Sequence, residues 1–135
     1  MKVTFIGNHN TPDSIYPSLY STIENLIENG ADDFYVGHNG RFDALVHKAL
    51  KSLQYVYPHI RFAIVLTSPD KATPDMPSVF PEEMTRAMPR FAIVKRSRYM
   101  VNLCDCVVAY AANPYGNTAK LCEYAKQKGK RISFL

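Results

Sequence analysis

Short apolar runs broken by turn chemistry and alternating with stretches of helical periodicity constrain the fold of this chain more than any other feature. The clearest is Cys106 to Ala112, which has the length and β-branched content of a buried strand and ends at Asn113-Pro114-Tyr115-Gly116-Asn117. Thr118 can cap a helix after that turn, with Leu121, Cys122 and Ala125 recurring on its face while Lys120, Lys126 and Lys128 point away. A strand, a glycine turn and a helix start form an anion site. The first-turn N–H groups are unpaired, the dipole is positive there, and Gly116 admits a phosphate or carboxylate close to the backbone.

The pattern recurs along the chain. Val3 to Ile6 is a short strand, Gly7 to Ser14 a loop in which Asp13 or Ser14 caps the next helix, and Ile15, Leu19, Ile23, Leu26 and Ile27 mark the buried face of that helix up to Asn29-Gly30. Phe34-Tyr35-Val36 is a second strand, leading through Gly37-His38-Asn39-Gly40 into an amphipathic helix with Phe42, Leu45, Val46, Ala49, Leu50 and Leu53 inward. Arg61 to Leu66 is a third. The segment 67–81, with Pro69, Pro74, Pro77 and Pro81, is too irregular for an element and long for a connector; it reads equally as a lid or as a surface excursion. Pro81 to Met84 opens a short helix, Phe91 to Val94 reads as extended, and a helix over 96–103 delivers the chain to Cys106. Arg131 to Leu135 is the last strand. Strands that are mostly continuous apolar runs, alternating with helices, predict an α/β fold of three layers with a five-stranded, mainly parallel sheet in the order 3-2-1-4-5, as one domain over 1–135.

At 135 residues and 47% hydrophobic, the chain has enough material for one core. No apolar run approaches membrane-spanning length, and Val3 to Ile6 is too short for the core of a secretory signal, so no membrane partner is expected. An odd count of three cysteines points to reduced thiols in the cytoplasm, with Cys104, Cys106 and Cys122 as packing residues. The formal charge of +4 is unevenly placed: between Glu83 and Asp105 there is no acid, but there are Arg86, Arg90, Lys95, Arg96 and Arg98. That cluster suits a polyanion, a phosphorylated small molecule, or plain solvation.

In the predicted sheet order, the loops at Gly7, Gly37 and Gly116 gather on one edge beside the switch point, where such sheets bind ligands. The residues expected there are Gly7, Asn8, His9, Gly37, Gly40, Asp43, Arg96, Tyr115, Gly116, Asn117 and Thr118. Asp43 can bond a ribose hydroxyl or support its own helix. Arg96 and Arg98 differ in helical phase, so one grips phosphate and the other faces outward. Tyr115 stacks on a base or plugs the turn. His9 and His38 share the edge, but two histidines without a third ligand make no zinc site, and neither a metal nor a cofactor is expected.

One set of residues carries a likeness to a known group. Phe5-Ile6-Gly7, Phe34-Tyr35-Val36-Gly37 with Gly40-Arg41-Phe42-Asp43, Arg96-Ser97-Arg98-Tyr99-Met100 with Asp105, and Tyr115-Gly116-Asn117-Thr118 with Tyr124-Ala125-Lys126 together resemble the SLOG superfamily, in order and spacing over nearly the whole chain. The nearest match in kind is to its small bacterial and phage domains. The resemblance implies a Rossmann-like fold, similar to LOG-type phosphoribohydrolases and to a DNA-processing protein that handles single strands. It implies a nucleotide pocket, with Gly116, Asn117 and Thr118 at the phosphate turn and Arg96 at the family's arginine, and a homodimer formed through helices. Two departures bear on activity. Leu121 stands where LOG-type enzymes carry an acid, with Glu123 offset by two, and Gly7-Asn8-His9 replaces a Gly-His-Arg. Hydrolysis of an N-glycosidic bond needs a placed acid or base.

The expectation is therefore a module that senses or sequesters a nucleotide-derived small molecule. The alternative is a phosphoribohydrolase using Arg96 with Glu123 or Asp43. Single-strand binding through Arg86 to Arg98 ranks third, and nucleic acid is not expected as a partner.

Overall fold

The structure is a computed structural model and describes residues 1–74 and 76–135. Its strands are β1 (Lys2–Gly7), β2 (Asp33–Val36), β3 (Arg61–Val65), β4 (Ser78–Val79), β5 (Cys106–Tyr110) and β6 (Arg131–Phe134). Its helices are α1 (Tyr16–Glu28), α2 (Arg41–Val56), α3 (Ala92–Leu103) and α4 (Asn117–Gln127). The strands form one six-stranded sheet in the order β4-β3-β2-β1-β5-β6, and every neighbouring pair is parallel.

Two-residue periodicity divides the strands' side chains between two cores. Val3, Phe5, Phe34, Cys106 and Val108 point to one face, where Leu19, Ile23 and Ile27 of α1 and Phe42, Val46 and Leu50 of α2 cover them. Ile6, Val107 and Ala109 point to the other, against Val101 of α3 and Cys122 and Ala125 of α4. Each fully buried Leu, Ile or Phe contributes about 1.5–3 kcal/mol, so the larger core around α1 and α2 dominates the folding energy. A Rossmann-like three-layer α/β architecture results. Gly30, at φ 106°, ends α1 in the left-handed conformation that its position after Asn29 predicts.

Four local expectations are corrected. The sheet has six strands rather than five, because Ser78 and Val79 in the proline-rich segment add an edge: Ile64 N–H donates to the Pro77 carbonyl at 2.9 Å and Leu66 N–H to that of Val79 at 2.8 Å. Within 67–81, Pro69–Lys71 is also a 3-10 turn, while Asp75 lies outside the described residues. Phe91 to Val94 is not extended. Pro89–Phe91 forms a 3-10 turn and α3 begins at Ala92, since burying Ala92, Arg96, Ser97, Met100 and Val101 on one face outweighs the β propensity of Ile93 and Val94. Finally, neither predicted cap is made. Gly116, not Thr118, precedes α4, and Asp13 instead pairs with Arg41, its Oδ1 2.6 Å from Nη2.

Candidate functional site

At the carboxyl edge of the sheet, where β1 and β5 send their chains to opposite faces, lies a cleft of about 340 Å³. Gly7, Asn8 and His9 leave β1 along its floor, Asn117 and Thr118 bring the first turn of α4 to one side, and α3 supplies Ile93, Val94, Arg96, Ser97 and Met100. Asn39 and Asp43 close the end toward α2. Of the residues expected from the sequence, Gly7, Asn8, His9, Asp43, Arg96, Asn117 and Thr118 come together here, whereas Gly37, Gly40, Gly116 and Tyr115 are not on the wall.

The buried charges are the site's strongest electrostatic feature. Arg96 is 3% exposed and Asp43 8%. Asn39 links them: its backbone N–H donates to Asp43 Oδ2 at 2.8 Å, and its side-chain Oδ1 accepts from Arg96 Nη1. Burial pushes the Asp43 carboxyl above its ordinary range, opposed by the Asn39 N–H and the guanidinium charge. Burial lowers the Arg96 pKa, and Asp43 opposes that. Among the described residues Arg96 Nε is buried with no hydrogen-bond partner. A buried donor left without a partner carries a desolvation cost that the fold tolerates here.

The glycines have roles other than the expected ones. A Cβ on Gly7 would overlap the ring of Phe42, and one on Gly37 would lie 2.7 Å from Asp43 Oδ2 and 2.8 Å from Arg96 Nη2. Both positions leave room for those side chains. Gly40 needs its φ of 91° to start α2 and rests against His9. Around the Gly37 turn, His47 Nε2 shares a hydrogen bond with the Gly37 carbonyl at 2.8 Å, and His38 Nε2 accepts from the Thr67 N–H at 3.4 Å. Burial and the charge of Arg96 lower the His38 pKa to about 4. No group of three His, Cys, Asp or Glu among the described residues is placed to hold a metal ion.

Arg98 and Lys120 are exposed and line a small side cavity of about 80 Å³ that shares Val94, Asn117 and Leu121 with the cleft. Arg98 also lies 5.2 Å from the Tyr124 ring. As the phase difference predicts, Arg96 turns inward and Arg98 outward. Leu121 is on the cleft wall, but Glu123 is exposed and paired with Lys126 at 3.5 Å, so one of the two candidate hydrolase acids is off the site while the other, Asp43, lines it beside Arg96. Asn39 was missed by sequence reasoning, although it sits inside the Gly37 to Gly40 turn that marked this edge.

The parallel sheet, its order and the cleft at the switch point define a Rossmann-like α/β protein. The chain is similar to the X-ray structure of DNA processing protein A (DprA) from Streptococcus pneumoniae, with 19% identity and a TM-score of 0.72, covering 98% of this chain and 49% of that one. It is also similar to DNA processing protein A from Helicobacter pylori, described by its unique single-stranded DNA binding mode, with 14% identity and a TM-score of 0.68 over 99% of this chain and 64% of that one. The chain thus spans about half to two thirds of these proteins' own lengths. No protein-family model and no curated protein sequence matches. The shared fold is the one the SLOG resemblance implied. The functional ranking, however, is corrected: a nucleotide-derived small ligand stood first and nucleic acid was not expected, yet both neighbours are DNA processing proteins and one is described by single-strand binding.

Proposed function

We propose that the chain is a SLOG-like domain that binds single-stranded DNA along the carboxyl edge of its sheet. One observation carries this reading: the amide-rich start of α4 and the buried Arg96 share a cleft whose rim is basic, with Arg98 and Lys120 exposed beside it. A strand's phosphates suit that combination of helix start, buried cation and solvated cations. Single-strand binding also calls for exposed aromatic faces. Tyr115, in the turn before α4, is 86% exposed, and Phe91, before α3, is 52% exposed with Arg90 4.7 Å from its ring. The basic residues Arg86 and Arg90 are exposed on the same approach to α3. The fold neighbours support the reading without extending to the rest of their longer chains. Three free, buried cysteines support a reducing compartment such as the cytoplasm.

The test is fluorescence anisotropy with a labelled oligothymidylate, comparing the wild type with Arg98→Glu/Lys120→Glu. The double variant alters two exposed side chains, so its melting temperature should hold. Its affinity should fall at least about tenfold and its salt slope by about two, one for each phosphate contact removed. Equal affinity of the two proteins would place the strand elsewhere, and absence of wild-type binding at low salt would end the proposal.

A further inference from the structure

A second cavity, of about 390 Å³, opens beside the cleft beneath the proline-rich segment. Its lining is mixed: Phe80, Met84, Pro89 and Ala92 supply apolar surface, and Thr67, Ser68, Thr85 and Lys71 supply hydroxyls and an ammonium. Asn39 and Ile93 line both spaces, so the two adjoin at these side chains. Among the described residues no carboxylate lines the second cavity, and Lys71 is exposed.

We infer that this cavity receives one unstacked base of the bound strand, so that the DNA runs from the Arg98 and Lys120 end, across the cleft, and past Asn39 toward Lys71. The inference rests on the single-strand reading and deepens it. A lining that combines apolar side chains with hydroxyls and an exposed lysine matches a nucleotide in both parts: the base leaves water for Phe80, Met84 and Ala92 while its phosphate stays near Lys71. Asn39 is the dividing post. Its backbone is held by Asp43 and its Oδ1 by Arg96, which fixes the amide and leaves Nδ2 as the donor, with no acceptor holding it among the described residues. Every base has an acceptor edge for such a donor. The subsite therefore reads the presence of a base rather than its identity, and binding is tolerant of sequence.

Filling the cavity tests this. Thr85→Leu/Ala87→Leu adds aliphatic volume to the cavity lining at one exposed and one half-buried position. Anisotropy with a labelled twelve-residue oligothymidylate should show affinity lower by about tenfold, the worth of one stacked base, with the salt slope unchanged. Lys71→Glu should lower the slope by about one as well as the affinity. If the filled variant melts and binds like the wild type while Arg98→Glu/Lys120→Glu still weakens binding, the strand does not enter the cavity and only this inference falls. If the wild type binds no oligonucleotide, the functional proposal itself has failed.

Discussion

Gly7 shows how a residue can be placed from the sequence while the packing that requires it stays hidden. Its position after a strand marked the ligand edge, and it does line the cleft. What requires glycine there is Phe42, a buried ring from α2 that is 35 residues away in sequence and whose volume a Cβ would overlap. Gly37 is held to glycine in the same way by Asp43 and Arg96, whereas a Cβ on Gly116 would meet nothing nearer than 3.6 Å. Gly7→Ala should therefore cost about 1–3 kcal/mol of stability by overpacking. Gly116→Ala should stay within about 0.5 kcal/mol of the wild type. Urea denaturation measures both, and adding Phe42→Leu to Gly7→Ala should cost less than the sum of the two single changes. A Gly7→Ala variant as stable as the wild type would refute the packing role. Such partners are invisible to a motif, because the sequence records the glycine but not the ring folded onto it. Arg96 was more legible, since helical phase alone separated it from Arg98.

Among the elements, the central strands were readable because burial on both faces leaves them uninterrupted by polar residues. β4 was not: its two residues are exposed, lie among prolines, and belong to the sheet only through hydrogen bonds to β3. α3 was half legible, because Phe91 to Val94 is rich in strand-favouring side chains and its helical state depends on what the buried face meets. The loops at the carboxyl edge are tied to one another, and one of these ties titrates. His38, on the β2–α2 loop, accepts the Thr67 N–H of the loop after β3, and its pKa falls from an ordinary 6.5 to about 4. The folded state thus binds fewer protons than the unfolded state between those values. This contribution to stability is complete above the unfolded pKa and is lost as pH falls through the folded one. Melting temperature measured from about pH 7 down to about pH 4 should drop more for the wild type than for His38→Gln, whose amide oxygen accepts without titrating. Parallel curves would mean that the tie does not govern the loops.

At the scale of the whole molecule, the sheet order turns separated stretches of sequence into one edge. Gly7 to His9, Asn39, Arg96 to Met100 and Asn117 to Leu121 meet there only because β1 lies between β2 and β5. That convergence was foreseeable, since parallel strands with right-handed crossovers put their strand-to-helix loops on one side. The occupant was not foreseeable. A phosphate turn and an arginine are common to small nucleotides and to strands, and that Arg98 of α3 and Lys120 of α4 come together beside the cleft emerges only in the folded chain. The net charge of +4 adds a general attraction for polyanions. The most direct measurement is the affinity of the intact chain for single-stranded oligothymidylate across a range of salt concentrations. The account predicts a linear fall of log affinity against log salt with a slope of about −2 to −3.5, as for three to five neutralised phosphates on a single strand. A flat response, or no binding even at low salt, would contradict it.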